Sequence, residues 1–100
     1  MNNITTKITL YIGADNRTGK ISPEYEKKIE TILAKYWEGF TLTKHKGRYE
    51  GKIEESISAV IYVLQLVFKD LDDCISELKV KLVQDTIGCE IEANIDFKFR

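Results

Sequence analysis

Apolar residues in this chain recur every second position in some stretches and every third or fourth in others, and the order of those stretches leaves few folds open. "ITTKITLYI" puts Ile8, Leu10 and Ile12 on one face and Lys7, Thr9 and Tyr11 on the other, a strand that Gly13 ends. "SPEYEKKIETILAKYW" then predicts a helix, with Ser22 as N-cap, Pro23 at its first position and Glu24 and Glu26 in its first turn. Tyr25, Ile29, Ile32, Leu33 and Tyr36 form its apolar stripe. Beyond Gly39, read as the helix stop, "FTLTKHKGRY" reads as a strand with Phe40 and Leu42 inward, and "EGK" as a short hairpin. "SISAVIYVL" is β-branched and apolar on both faces toward its end, as suits a central strand. "DLDDCISELKVKLVQ" predicts a second helix, capped by Asp70 with Asp72 and Asp73 in the first turn, and with Leu71, Ile75, Leu78 and Leu82 inward. The last stretch alternates most cleanly, Cys89, Ile91, Ala93, Ile95, Phe97 and Phe99 against Glu90, Glu92, Asn94, Asp96, Lys98 and Arg100.

The order β-α-β-β-α-β predicts an α+β, ferredoxin-like domain, a four-stranded antiparallel sheet with two helices on one face. The expected strand order is fourth, first, third, second. Right-handed crossovers then bring the loop after Gly13, the hairpin at Glu50–Gly51 and the turn "DTIG" to one rim. One hundred residues, 43% hydrophobic and 31% charged, suit a single domain over residues 1–100 with one modest core.

A net charge of −1, with 15 Lys and Arg against 16 Asp and Glu, argues against a general nucleic-acid or membrane-surface binder. Affinity for an anion must therefore be local. The N-terminus lacks a signal layout and no apolar run reaches the ~18 residues of a membrane helix, so a cytoplasmic location is expected. Cys74 and Cys89 lack metal or redox spacing and read as two buried thiols; no metal and no cofactor is expected.

Two basic segments are candidate anion sites. "GADNRTGKISPE" has the strand, glycine, lysine, helix order of a phosphate loop, but Gly13 and Gly19 are separated by five residues and Lys20 is followed by Ile21, which rules that motif out. Arg17 and Lys20 beside a helix start still make a generic anion site, or simply a polar turn before a capped helix. "KHKGRYEGK" gathers Lys44, Lys46, Arg48 and Lys52 around Tyr49, although residues 44–55 also hold three Glu. These side chains either contact an anion or protect an edge strand from aggregation. His45, the only histidine, has no obvious partner for catalysis and reads as a strand-surface residue. "LYIGAD" looks like one half of an RNA-recognition motif with Tyr11 as the stacking aromatic, but the third strand supplies only Tyr62. The alternative is that Tyr11 and Tyr62 cover the open sheet face, against a second copy of the chain. No His–carboxylate pair, reactive cysteine setting or N-terminal proline points to an enzyme.

The ordered set "LYIG", "ISPEYEKKIETILAKYWEGFTL", "GRYEG" and "EESISAVIYV" resembles a family of short, uncharacterised bacterial and phage proteins. It also looks like the phage proteins that sequester nucleotide second messengers of bacterial immunity, including the Thoeris anti-defence type that captures cyclic ADP-ribose isomers. That resemblance implies a non-catalytic, oligomeric sponge, with Arg48 and Tyr49 at the ligand and Gly13 and the following loop closing over it. The expected partners are a small anionic ligand, a cyclic or linear nucleotide, and further copies of the chain. Arg48, Lys46, Lys20 and Arg17 are expected at its phosphates, and Tyr49 or Tyr11 against its base or ribose. An RNA-binding sheet and a protein-interaction or inhibitor module stand as the alternatives.

Overall fold

Ile8, Leu10 and Ile12 alternate along β1 (Ile4–Gly13) and are fully buried, which makes this strand the centre of the core. The structure is a computed structural model that describes residues 4–96, except for the side chains of Ile4, Tyr49 and Asp96. The expected roles of Phe97, Lys98, Phe99 and Arg100 lie outside the described residues.

The other elements are α1 (Pro23–Tyr36), β2 (Thr41–Tyr49), β3 (Lys52–Val63), α2 (Phe68–Leu82) and β4 (Gly88–Asp96). The strands lie in the order β2-β3-β1-β4 with antiparallel neighbours, the α+β ferredoxin-like arrangement expected from the sequence. The core forms where Ile8, Leu10, Ile12, Ile57, Ala59 and Ile61 of the sheet meet Ile29 and Leu33 of α1 and Leu71, Cys74 and Leu78 of α2. The Ser22 hydroxyl accepts the Tyr25 N–H at 3.1 Å, so α1 starts where its cap residue places it.

Several elements differ from the sequence reading. α1 ends at Tyr36, with the Trp37 N–H bonded to the Leu33 carbonyl at 2.9 Å, before Gly39 is reached. The Trp37 ring is buried, and its indole N–H, near the Cys74 thiol, lacks a hydrogen-bond acceptor. α2 begins two residues ahead of Asp70. Val67 occupies the cap position without a side-chain bond, and its carbonyl takes the N–H groups of Asp70 and Leu71. The buried stripe of α2 runs through Leu71, Cys74, Leu78 and Leu82, with Ile75 only partly covered. Cys89 is exposed, because β4 is an edge strand beyond the full cover of the helices.

The alternation of β4 also breaks. Thr5 pairs with Ile95 but Lys7 pairs with Glu92, so Ala93 and Asn94 together oppose Thr6 in a β-bulge, with Asn94 at φ 59°. Ile91, opposite Ile8, faces the helices, whereas Ile95 falls on the other face beside Thr5, whose hydroxyl donates to the Ile95 carbonyl at 3.1 Å. By contrast, β2 and β3 stay in register from Thr41↔Val60 to Tyr49↔Lys52, without a bulge at Gly47. Lys44, Lys46 and Arg48 therefore share one face with Leu42, and Lys44 reaches Glu26 of α1 at 2.9 Å. Glu50 and Gly51 both have positive φ, as a two-residue hairpin turn of type I′ requires.

Two stability outcomes follow. Leu10→Ala should lower unfolding free energy by about 2–5 kcal/mol, whereas Ile53→Ala, on the exposed hairpin, should change it by less than about 0.5 kcal/mol, measured by denaturant titration. Val83, the C-cap of α2, is β-branched, exposed and held at φ 54°, so Val83→Gly should raise stability by about 1 kcal/mol in the same assay.

Candidate ligand-binding rim

β1 leaves the sheet at Gly13, whose partner on β3 is Ser56, while β3 and β2 continue together for four more residue pairs to Tyr49↔Lys52. The lane that β1 vacates is a cleft between the projecting hairpin and the loop that leads to α1. Its position is fixed by a small polar network. The Tyr25 hydroxyl donates to the Gly13 carbonyl at 2.8 Å, and the Gln84 amide donates to the Ala14 carbonyl at 2.8 Å and to the Tyr25 hydroxyl at 3.1 Å. A Cβ at residue 13 would lie 3.1 Å from the Gln84 Oε1, close enough that the Gln84 side chain would have to give by a few tenths of an ångström. Farther along, the Asn16 amide donates to the Val83 carbonyl at 2.6 Å, which ties the loop to the end of α2.

The loop then turns on Asp15. Its carbonyl accepts the N–H groups of Thr18 (3.1 Å) and Gly19 (2.7 Å), and its carboxylate accepts from the Arg17 backbone N–H (2.9 Å), Nε (3.3 Å) and Nη2 (3.1 Å). Hydrogen bonding from the Arg17 side chain, followed by that from its backbone N–H, holds the Asp15 carboxyl below the ordinary carboxylate range.

Two concavities open on this rim and share Asp15 and Asn16 as a common wall. The hairpin cleft, about 510 Å³, runs from Gly13 and Gln84 to Gly47 and residues 52–56; its charged walls are Asp15, Glu54, Glu55 and Lys52. The helix-end cleft, about 280 Å³, lies between the start of α1 and the end of α2; its charged walls are Asp15, Arg17, Lys28 and Lys81. One cleft is therefore rich in carboxylates and the other in cations.

The expected site residues distribute unevenly over this surface. Arg17 lines the helix-end cleft while paired with Asp15, and Lys20 is exposed on the same loop, its N–H bonded to the Thr18 hydroxyl at 3.2 Å. Lys46 and Arg48 flank Gly47 on the helix-side face of the hairpin, with Lys46 directly across from Glu55. The Tyr49 side chain lies outside the described residues. Tyr11 is not brought to either cleft. It lies on the helix-free face, where its hydroxyl donates to Glu90 at 3.0 Å. That hydrogen bond raises the Tyr11 pKa.

The helix-free face also carries Thr9, Ser58 and His45, whose Nε2 lies 2.8 Å from the Ser58 hydroxyl. Hydroxyls and the acids Glu90 and Glu92 make it a poor match to an RNA backbone. Lys28, Lys81 and Gln84 were not singled out in the sequence. Each sits on or just past a helix with ordinary solvated spacing, and only the antiparallel packing of α1 on α2 brings them to the rim.

Among the described residues, no group of three or more His, Cys, Asp and Glu is placed to hold a metal, and no helix is long and apolar enough to cross a membrane. The Asp15–Arg17 pair gives a direct check on the loop. By carbon-detected NMR titration the Asp15 carboxyl should have its midpoint below that of an unperturbed aspartate, and Arg17→Ala should move it upward. Because the folded value is lowered, this pair's stabilising contribution is present above the unfolded aspartate pKa and is lost as pH falls through the folded one.

No protein-family model matches the chain, and no curated protein matches it by sequence. Solved structures match it by shape. It is similar to a phage SAM lyase in complex with S-methyl-5'-thioadenosine, with a TM-score of 0.58 and 17% identity over 93% of this chain and 83% of that one. A DUF3240 family protein from Shewanella baltica OS155 gives a TM-score of 0.60 and 13% identity over 100% of this chain and 98% of the other. CutA from Synechococcus elongatus PCC7942, complexed with a Bis-Tris molecule, gives 0.59 and 11% identity over 95% and 85%. At these identities the likeness is one of fold: this chain shares its architecture with an enzyme and with proteins of other descriptions.

Proposed function

We propose that this chain binds a small nucleotide at the upper rim and holds it without turnover, as a sponge for a signalling nucleotide. The observation that carries the reading is the pair of clefts with opposite charge that meet at Asp15 and Asn16. A nucleotide has the same division, with anionic phosphates at one end and hydroxyl and amino donors at the other. Arg17, Lys28 and Lys81 suit the phosphates, and Asp15, Glu54 and Glu55 suit ribose hydroxyls or an exocyclic amine.

Lys20, Lys46 and Arg48 stand at the outer margin, where they add to the local positive field, and Tyr49 is the hairpin aromatic assigned to stack on the base. Tyr11 enters only if a second copy presents its open face to the rim, which makes the site one shared between protomers of a homo-oligomer. Support for a nucleoside-sized ligand on this fold comes from the phage SAM lyase, which binds S-methyl-5'-thioadenosine. The charged groups that line the two clefts are lysines, Arg17 and carboxylates, which suit the holding of a charged ligand. The sequence resemblance to phage proteins that capture immune nucleotides points the same way, to a cytoplasmic setting and a signal removed by binding.

Calorimetry against cyclic dinucleotides, cyclic trinucleotides and ADP-ribose isomers tests the proposal. At least one member should bind, and Lys28→Gln with Lys81→Gln should weaken it by about 10-fold or more. Absence of heat with every member at micromolar protein overturns the reading. Mass spectrometry of the released ligand should return it unchanged; a cleaved product would show an enzyme instead.

A further inference from the structure

β1 stops pairing at Gly13↔Ser56 while β3 runs back to Lys52 beside β2, so the backbone of β3 ahead of Ser56 has a ladder on one side only. The type I′ turn decides which groups face the empty side. In a two-residue hairpin the residues that flank the turn exchange both backbone hydrogen bonds, so the N–H and C=O of Lys52 point to Tyr49 on β2. Alternation then turns Glu54 and Ser56 to β2 as well, and Ile53 and Glu55 to the lane that β1 vacates.

One more ladder pair would have given the Glu55 N–H to the Ala14 carbonyl. That carbonyl accepts from the Gln84 amide at 2.8 Å instead, and no other backbone carbonyl takes its place. The Ile53 carbonyl and the Glu55 N–H are therefore an acceptor and, one step along the same edge, a donor, both without a partner among the described residues. They open on the hairpin cleft of about 510 Å³, which Ile53 and Glu55 line. Opposite Arg48, the Ile53 side chain stands on the helix side of this edge and is 64% exposed. A flat group lying in the lane, in the plane of the sheet, meets both polar atoms at its rim and covers the isoleucine with its face.

We infer that the base of the ligand occupies this lane, with its Watson–Crick edge on the Ile53 carbonyl and the Glu55 N–H. This rests on the nucleotide reading of the rim and says which atoms of the ligand are read. Purines carry a donor next to an acceptor on that edge, the N6 amine and N1 in adenine and the N1–H and O6 in guanine. One rigid base satisfies both backbone groups, whereas a peptide strand must order several residues to reach the same two atoms.

Calorimetry with AMP, GMP, their 7-deaza analogues, 1-deaza-AMP, 1-methyl-GMP and ribose 5-phosphate tests this. At least one of AMP and GMP should bind. Its analogue altered at position 1 should bind about 10-fold more weakly, and its 7-deaza analogue within about 2-fold of the parent. Glu55→Pro removes the lane-facing N–H without breaking a bond to β2, and should bind the parent about 10-fold more weakly than Glu55→Ala, which keeps the N–H. If circular dichroism shows the proline variant unfolded, the analogue comparison on the unaltered chain decides alone. Equal affinity for the parent and its position-1 analogue overturns the inference and leaves the nucleotide reading standing, as does ribose 5-phosphate that binds as tightly as AMP and GMP. A folded Glu55→Pro chain that binds like Glu55→Ala also overturns it. If neither AMP nor GMP binds at millimolar concentration the inference falls, and the cyclic nucleotides and ADP-ribose isomers decide the nucleotide reading separately.

Discussion

The Tyr25 hydroxyl on the Gly13 carbonyl fixes where β1 leaves the sheet, and the arrangement of the rim depends on that point. Had β1 continued beside β3, its backbone would fill the lane that is now the hairpin cleft. Because it turns away, the freed chain must satisfy its polar groups elsewhere. Gln84 takes the Ala14 carbonyl, and Asp15 organises the turn that follows. The same residues that close the accounts of the loop backbone thus become the walls of two clefts. Placement of α1 follows from the same contact, since Tyr25 lies in its first turn and packs into the core.

Charge is segregated on a chain that is nearly neutral. Carboxylates gather along β4 on the helix-free face and in the hairpin cleft, while uncommitted lysines gather on the helix layer. Coulomb interactions between exposed groups fade over about 8–10 Å in physiological salt, so a ligand group responds chiefly to the charges that line its own site. The chain's net charge consequently says little about what any one surface attracts. The local acidity of the sheet face does account for its poor match to nucleic acid, because Glu90 both occupies that face and binds the tyrosine that would stack there.

The strands and helices were legible because one side of each is buried. Ile8, Leu10 and Ile12 could hardly be anything but a half-covered strand, and Ser22 with Pro23 marks a helix start by local chemistry alone. Errors arose where tertiary context overrode local signals. Asp70 has the chemistry of a cap, yet the backbone turn at Val67 begins the helix earlier. Cys89 and Ile95 keep the right period, but an edge position exposes one and a bulge turns the other over. At the rim, Arg17 and Lys20 were visible as basic residues in a loop. Lys28 and Lys81 were invisible, since nothing in a solvated helix face announces the helix end packed beside it.

The hairpin beyond Ser56 has no helix behind it and exposes residues 50–54 to solvent. A two-stranded ribbon of this kind is marginally stable by itself, so its backbone hydrogen bonds should open at a lower free energy than those of β1. One wall of the cleft is accordingly softer than the opposite wall, which is pinned through Tyr25 and Gln84. A ligand seated between them would quieten the ribbon, giving up affinity to the lost conformational entropy and protecting the ribbon's amides from exchange with water.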